Sequence, residues 1–184
     1  MAAPAAIWIQ SPRSSPRRGY VVANIEYREA SSYNYPAQLN DTRAGVKWLR
    51  ANASRLNLDP QQIAGWGYSA GAHRVALAAT FKEDADSRLQ AVVSGGLPAD
   101  LTHYPVSPII TKFIGAAYAE KPKTWIEASP VSHVSGDTPP MFLYHGEWDR
   151  LVYVEDSIAM KQALKRAHVP VELYLISGSG HIGG

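Results

Sequence analysis

The segment that most constrains the fold is the pentapeptide Gly-Tyr-Ser-Ala-Gly at residues 67–71. An apolar run precedes it at residues 63–66, and the composition of residues 72–81 after it favours a helix. A serine between two glycines at a strand-to-helix boundary is typical of a sharp, strained turn that exposes the hydroxyl. Glycine is needed there because a larger side chain would collide with the neighbouring element. We therefore predict Ser69 as a nucleophile; the alternative is an ordinary glycine-rich turn.

A serine nucleophile needs a base, and the base needs an acid that orients it. An apolar segment at residues 140–146 runs into Glu147 and Asp149, and another at residues 171–176 runs into a glycine-serine turn and His181. Both places lie just past the carboxyl end of a predicted strand, where the sites of open α/β sheets collect. We assign Asp149 as the acid and His181 as the base, with Glu147 as the rival acid. We interpret His73 and His145 as structural histidines.

Apolar segments alternate with helix-like segments along the whole chain. The predicted strands cover residues 21–27, 63–68, 89–96, 141–145 and 171–176. The predicted helices cover residues 41–56, 70–81, 109–118, 122–127 and 154–167, and Asn40 or Asp41 is the expected N-cap of the first. Near-continuous apolar strands between amphipathic helices predict an α/β protein of three layers with a mostly parallel sheet. We find no internal repeat and expect one domain.

Residues 97–139 form a long irregular insertion after the third predicted strand. Loops of this length in a compact domain are usually functional. We expect a cap-like insertion in which four side chains wall an acyl pocket, namely Tyr104, Ile109, Ile110 and Phe113. We also expect Tyr68, next to the nucleophile, to shape the substrate site. The alternative is that the four side chains only cover the sheet edge and that Tyr68 is a half-buried aromatic residue.

Several further motifs carry a resemblance to a known family. They are Tyr27-Arg28, the segments at residues 35–41, 46–52, 58–60 and 128–130, and the segment from His145 to Asp149. Over residues 19–184 the chain resembles the α/β-hydrolase carboxylesterases, in particular the hormone-sensitive-lipase-like and feruloyl or acetyl-xylan esterase-like branches. The resemblance implies a catalytic domain with Ser69, Asp149 and His181 as its triad. It also implies the backbone N–H of Ala70 as one oxyanion donor.

The chain departs from this family at its front. The family carries a His-Gly-Gly motif that completes the oxyanion hole, and residues 6–12 here read Ala-Ile-Trp-Ile-Gln-Ser-Pro instead. Only about ten residues separate Gln10 from Tyr20, fewer than a parallel crossover needs. We therefore expect the first strands and first helix to be missing and residues 1–18 to form an irregular arm. The second oxyanion donor has no assigned residue; the backbone N–H groups of Gln10 and Ser11 are the positional candidates.

A missing front has a second consequence, which concerns association. The sheet edge beside residues 21–27 is expected to lack its neighbours, and an exposed apolar edge can pair with another chain. We therefore expect a homodimer through an exposed sheet edge, unless residues 6–10 cover that edge.

Composition excludes several other classes of function. The chain has 184 residues, of which 46% are hydrophobic and 18% charged, and it has no cysteine, so disulfides and thiolate chemistry are excluded. No apolar run approaches the ~20 residues of a membrane span. The arginines at 13, 17 and 18 lack interleaved aromatic residues, so no nucleic-acid partner is expected. No metal-ligand spacing occurs, and we expect neither a metal nor a cofactor. We expect a cytoplasmic location, with secretion left open.

These observations predict a serine hydrolase that cleaves short-chain carboxylic esters through an acyl-enzyme, with a small-molecule ester as its partner. Two alternatives stay open. The Ser-Ala-Gly-Ala-His segment also resembles arylformamidases of the same fold, which would cleave an amide with the same triad. A chain without a complete oxyanion hole could instead be an inactive fragment that only binds ligands.

Overall fold

The computed structural model describes residues 7–10, 19–30, 32–81 and 85–181. In chain order its strands are β1 (Ile7–Gln10), β2 (Val22–Ile25), β3 (Ala64–Tyr68), β4 (Ala91–Gly95), β5 (Met141–Gly146) and β6 (Val171–Ile176). Its α-helices are α1 (Ala37–Ala51), α2 (Ala53–Leu56), α3 (Ala70–Thr80), α4 (Pro108–Ile114), α5 (Pro122–Glu127) and α6 (Val154–Arg166). None of the helices in these ranges is both long and apolar enough to cross a membrane.

The main sheet has four strands in the order β3-β4-β5-β6, and every neighbouring pair is parallel. Helix α3 joins β3 to β4, and α6 joins β5 to β6. One face of the sheet, which includes Val92, Met141 and Leu143, is buried against α1, α3 and α6, whereas Trp66 and Phe142 on the opposite face are exposed. The core between the layers is built from Val46, Leu49, Ala76, Val92, Leu97, Leu143, Met160 and Leu164. The prediction of an α/β fold with a mostly parallel sheet is confirmed.

The front of the chain forms a separate two-stranded sheet. Strand β1 pairs with β2 in antiparallel register, with Ile7 opposite Ile25 and Gln10 opposite Val22. An irregular arm was predicted over residues 1–18, and this is wrong for Ile7–Gln10. Two isoleucines and a tryptophan have high strand propensity, and pairing with β2 satisfies their backbone groups. Residues 1–6 and 11–18 of the predicted arm, including the donor candidate Ser11, lie outside the described residues.

The edge that we expected to be exposed is therefore covered in part, because β1 occupies one side of β2. Strand β2 does not join the main sheet, and β3 and β6 are the edge strands of that sheet among the described residues. A cleft of about 370 Å³ separates the two sheets, lined by Ala23 and Ile25 on one side and by Gly65 and Trp66 on the other. The Trp66 side chain is 74% exposed.

The first long helix begins earlier than predicted, at Ala37, so neither Asn40 nor Asp41 is its N-cap. Asp41 is buried and accepts hydrogen bonds from the Arg28 backbone N–H at 2.9 Å and from its guanidinium Nη2 at 2.7 Å. The pair ties the chain after β2 to α1. The helix ends at Ala51, and the short α2 ends at Leu56, followed by its C-cap Asn57, whose φ of 52° is left-handed.

The insertion at residues 97–139 contains α4 and α5 and has a small core of its own. Leu101, Ile114, Trp125 and Ala128 are buried together, and Tyr35 and Phe113 pack against them. The backbone N–H of Val131 donates to the Ala99 carbonyl at 3.1 Å, which closes the segment near its base. This packing holds α4 in a fixed place beside the main sheet.

Candidate active site

Ser69 lies in the turn between β3 and α3, with φ of 51° and ψ of −119°. A positive φ is strained for a residue other than glycine. The Ser69 backbone N–H donates to the Gly95 carbonyl at 2.8 Å, and the Ser69 carbonyl accepts from the His73 N–H at 2.9 Å. A Cβ atom on Gly67 would collide with the backbone of Gly71, so the turn requires glycine at position 67. The tight turn places the Ser69 hydroxyl at the carboxyl end of β3.

The structure brings Ser69, His181 and Asp149 into one hydrogen-bonded chain. The His181 Nε2 atom lies 2.8 Å from Ser69 Oγ, and His181 Nδ1 lies 2.6 Å from Asp149 Oδ2. A carboxylate only accepts, so Nδ1–H donates to Asp149 and Nε2 is free to accept from the serine hydroxyl. This arrangement can take a proton from Ser69 as its oxygen attacks.

Asp149 is held by several donors in the turn after β5. Its Oδ1 atom accepts from the backbone N–H groups of Leu151 and Val152, both at 2.9 Å. Burial alone would raise the pKa of Asp149, but the hydrogen bonds from Val152, His181 and Leu151 outweigh it and lower the pKa. The acid is therefore ionised at neutral pH. Glu147, the rival acid, is exposed at the start of the same turn.

His145 supports Asp149 in a way that the sequence did not reveal. Its ring is fully buried, and Nδ1 lies 2.7 Å from Ser157 Oγ. Its Nε2 atom faces two acceptors, the Val152 carbonyl at 3.0 Å and Asp149 Oδ2 at 3.2 Å, so Nε2 carries the proton. His145 thus holds both the turn and the carboxylate. The four-residue spacing from His145 to Asp149 at a strand end was the available signal.

A cavity of about 410 Å³ opens beside Ser69. Its apolar lining consists of Pro98, Leu101, Tyr104, Ile109, Ile110, Phe113, Leu151 and Val152. Four of the five predicted substrate-binding residues therefore lie in its wall. Tyr68 does not line the cavity; its ring centroid lies 5.3 Å from that of His181 and 6.0 Å from that of Tyr144. The Tyr68 side chain lies beside His181 instead.

Tyr104 presents its ring to the cavity because its hydroxyl is occupied elsewhere. The hydroxyl donates to Asp156 Oδ2 at 3.0 Å and accepts from the Tyr153 N–H at 2.9 Å. Burial, and then the charge of Asp156, raise the pKa of Tyr104. The fully buried Asp156 also lies 2.6 Å from Nδ1 of His103. His103 therefore anchors the insertion to α6.

His73 is buried one turn into α3 and plays no part in the hydrogen-bonded chain. Its Nε2–H donates to the Ala128 carbonyl at 2.8 Å, and its ring lies edge-on to Phe113 at 5.4 Å. Burial lowers the pKa of His73 to about 4, so the ring is neutral at pH 7. This agrees with its interpretation as a structural histidine.

The polar part of the lining comes from Tyr27, Glu29, Gln38 and Arg74, and Ala70 lines the cavity as well. Ala70 is the first residue of α3, where the backbone N–H groups have no acceptor within the helix. Its N–H can therefore donate to an oxygen beside Ser69. In the described ranges no three His, Asp or Glu side chains are placed to hold a metal ion.

Residues 8–164 match the BD-FAE family. Among curated proteins, the chain is 31% identical over 178 residues to esterase LipQ of Mycobacterium tuberculosis, covering 89% of this chain and 42% of LipQ. It is 30% identical over 164 residues to the probable carboxylic ester hydrolase LipM of the same organism, covering 80% of this chain and 38% of LipM. The chain thus spans about two fifths of the length of these relatives.

Solved structures of esterases also superpose on this chain. A truncated form of a carbohydrate esterase from gut microbiota superposes with a TM-score of 0.80 at 25% identity, covering 89% of this chain and 67% of that one. An acetyl ester-xyloside bifunctional hydrolase from Caldicellulosiruptor lactoaceticus superposes with a TM-score of 0.79 at 28% identity, covering 88% of this chain and 62% of that one.

Proposed function

We propose, from the premise that this chain belongs to the BD-FAE family of the α/β-hydrolase fold, that it hydrolyses short-chain carboxylic esters through an acyl-enzyme. One observation supports this above all others. The Asp149–His181–Ser69 hydrogen-bonded chain ends at a hydroxyl that faces a partly apolar cavity. The names of LipQ and LipM, an esterase and a probable carboxylic ester hydrolase, point the same way.

The proposed reaction begins when Ser69 Oγ attacks the ester carbonyl carbon and its proton passes to His181 Nε2. Asp149 stabilises the imidazolium that forms. The carbonyl oxygen becomes an oxyanion and accepts from the Ala70 N–H at the positive end of the α3 dipole. His181 then protonates the alkoxide as the ester C–O bond breaks, and the alcohol leaves. Water then attacks the acyl-enzyme with His181 as its base, and the carboxylic acid leaves as Ser69 is regenerated.

The preference for short acyl groups rests on the apolar lining of the cavity. Tyr104 closes one wall and is fixed by Asp156 and Tyr153, while Phe113 packs against Tyr35 and His73. Because both rings are held by neighbours, the wall cannot easily retreat to admit a long chain. We expect acetyl and propionyl esters to be cleaved faster than octanoyl esters.

Reaction with a fluorophosphonate followed by mass spectrometry tests the proposal. A single adduct on Ser69, absent from Ser69→Ala and accompanied by turnover of p-nitrophenyl acetate, is the expected result. A folded chain with no adduct and no turnover would contradict it, and would favour the binding-only alternative. A strict preference for formyl anilides over acetyl esters would instead favour the arylformamidase alternative.

We also propose that a second copy of the chain pairs with the outer edge of β3. That strand reads Ala-Gly-Trp-Gly-Tyr and carries no charge, whereas the other edge strand of the main sheet contains Glu172. Charged residues protect sheet edges from pairing. The strand lines the cleft beside Trp66, whose side chain is 74% exposed.

A further inference from the structure

Among the described residues the Ala70 N–H is the one clear backbone donor at the oxyanion site, and hydrolysis of this kind ordinarily uses at least two. Neighbouring backbone groups are already occupied. The Ser69 N–H donates to the Gly95 carbonyl at 2.8 Å, and the Gly96 N–H donates to the Tyr144 carbonyl at 3.0 Å. Gln10 lies in β1 opposite Val22 and belongs to the separate small sheet. A second donor is therefore best sought among side chains of the cavity wall.

Arg74 is placed to reach this site from the same helix as Ala70. Residues four apart lie on one helix face, and side chains lean toward the helix N-terminus. Four residues rise ~6 Å along the axis, which an arginine side chain can span. The Arg74 Nη2 atom lies 3.9 Å from the position that a Cβ on Gly71 would occupy. The guanidinium therefore reaches back to the first turn of α3, in the wall of the cavity that contains Ser69 and Ala70.

Arg74 combines an unfavourable position for a cation with stabilising contacts to Tyr27. A cation at a helix N-terminus opposes the helix dipole. None of the ion pairs among the described residues involves Arg74, although Glu29 lines the same cavity. The guanidinium lies over the Tyr27 ring, with Cζ 3.2 Å from the ring centroid, and the residue is half-buried. Burial lowers the pKa of Arg74, yet an arginine stays protonated at neutral pH.

We propose that the Arg74 guanidinium is the second oxyanion donor of this chain. In the transition state the carbonyl oxygen would accept from the Ala70 N–H and from one Arg74 N–H. A positive charge beside a helix N-terminus is unfavourable in the free protein and becomes favourable when the negative oxygen forms. Arg74 would therefore stabilise the transition state more than the bound ester, and Tyr27 would hold the guanidinium in place. This inference rests on the proposed ester hydrolysis at Ser69.

The test compares Arg74→Ala, Arg74→Gln and Arg74→Lys with the unsubstituted chain on p-nitrophenyl acetate. The matched control is Arg55→Ala, since Arg55 also lies near an aromatic ring, Trp48 at 5.4 Å, but not in the cavity. Removing an oxyanion donor should lower kcat by ~10²-fold, with KM changed by less than ~3-fold. Arg74→Lys should retain part of kcat, and Arg55→Ala all of it.

Two further readouts separate an oxyanion donor from a structural arginine. An alkyl trifluoromethyl ketone forms an anionic hemiketal on Ser69, so its affinity should fall with Arg74→Ala by about the same factor as kcat. Added guanidinium ion should raise the kcat of Arg74→Ala and should leave the kcat of Arg55→Ala unchanged. If Arg74→Ala does not fold, as judged by circular dichroism, the same two readouts apply to Arg74→Gln.

If the unsubstituted chain is active, several results would overturn the inference about Arg74 and leave the proposed ester hydrolysis intact. These are a kcat within ~3-fold of the unsubstituted value in Arg74→Ala and Arg74→Gln, or a lower kcat with unchanged trifluoromethyl ketone affinity. A loss confined to esters whose alcohol carries a carboxylate would make Arg74 a substrate-binding residue instead. If the unsubstituted chain has no turnover and Ser69 is not labelled, the proposed function fails and this inference fails with it.

Discussion

The back of the molecule, β3 to β6, and its front, β1 and β2, differ in how completely their strands are packed. Val92 in β4 is 1% exposed and Leu143 in β5 is fully buried, whereas Val22 in β2 is 42% exposed. The four back strands pair in parallel and pack one face against α1, α3 and α6, while the described front strands form a separate two-stranded sheet. Burial of that face makes the back a rigid support, whereas a two-stranded sheet is only marginally stable by itself.

The catalytic residues belong to the better-packed of these two regions. Ser69, Asp149 and His181 all follow back strands, so their mutual distances depend on the well-packed part of the molecule. The front contributes Tyr27, two residues after β2, to the lining of the cavity. We expect variants in the back to affect turnover and folding strongly, and variants in the front strands to affect them weakly.

The largest expected effect is on catalysis at the ends of the back strands. Ser69→Ala and His181→Ala should each lower kcat for p-nitrophenyl acetate by ~10⁴-fold or more, because nucleophile and base act as a unit. Asp149→Asn should cost less, since the backbone donors of the turn still hold the side chain. The matched control is Glu147→Gln, an exposed position two residues earlier, which should leave kcat unchanged. If Glu147→Gln were the more damaging change, the acid would be misassigned.

The second prediction compares the stability of the two regions directly. Leu143→Ala removes a fully buried side chain from β5 and should lower the free energy of unfolding by about 2–5 kcal/mol. Val22→Ala changes a side chain that is 42% exposed in β2 and should cost less than about 1 kcal/mol. Urea denaturation at pH 7 measures both. Equal losses would show that the front is as tightly coupled to folding as the back.

A third prediction concerns the pH dependence of the back region, through His73. The pKa of His73 is lowered from 6.5 to about 4 by burial, so between these pH values the unfolded chain binds a proton that the folded chain does not. The free energy of unfolding should therefore fall as pH decreases from about 6.5 to about 4, by roughly 3 kcal/mol in all from this group.

The variant that isolates this contribution is His73→Gln, whose side-chain amide can still donate to the Ala128 carbonyl. Urea denaturation at pH 7 and pH 5 should show that the unsubstituted chain loses about 2 kcal/mol more than the variant on acidification. Asp149 and Asp156 also titrate in acid, but they are present in both proteins and cancel in this difference. Equal losses in the two proteins would mean that His73 is not buried as a neutral ring.

The smallest expected effect concerns self-association at the outer edge of β3. Trp66→Lys places a charge on that edge and should shift the chain from dimer to monomer in sedimentation equilibrium at micromolar concentrations. Tyr174→Lys on β6, also at an exposed position, is the matched control and should leave the association unchanged. A chain that is already monomeric without either substitution would rule out pairing through β3.

Much of the back half could be predicted from sequence because its signals are local. The glycines around Ser69 indicate a strained turn, and apolar strands followed by Asp149 and His181 indicate residues at one sheet edge. The strand predictions for β3, β5 and β6 lie within a residue or two of their observed bounds. The start of α1 was misplaced because Asp41 is engaged by Arg28, a residue 13 positions earlier in the chain.

What the sequence alone determined is the identity of the residues at the strand ends and the α/β class, since both follow from glycine sterics and the period of apolar residues. Three features depended on the tertiary structure: the pairing of Ile7–Gln10 with β2, the support of Asp149 by His145, and the position of the Arg74 guanidinium at the first turn of α3. Each of these depends on the directions in which side chains or strands meet in space. Propensity and spacing fix a residue's own element, but the partner of a buried polar group or an unpaired strand is chosen only when the elements pack together.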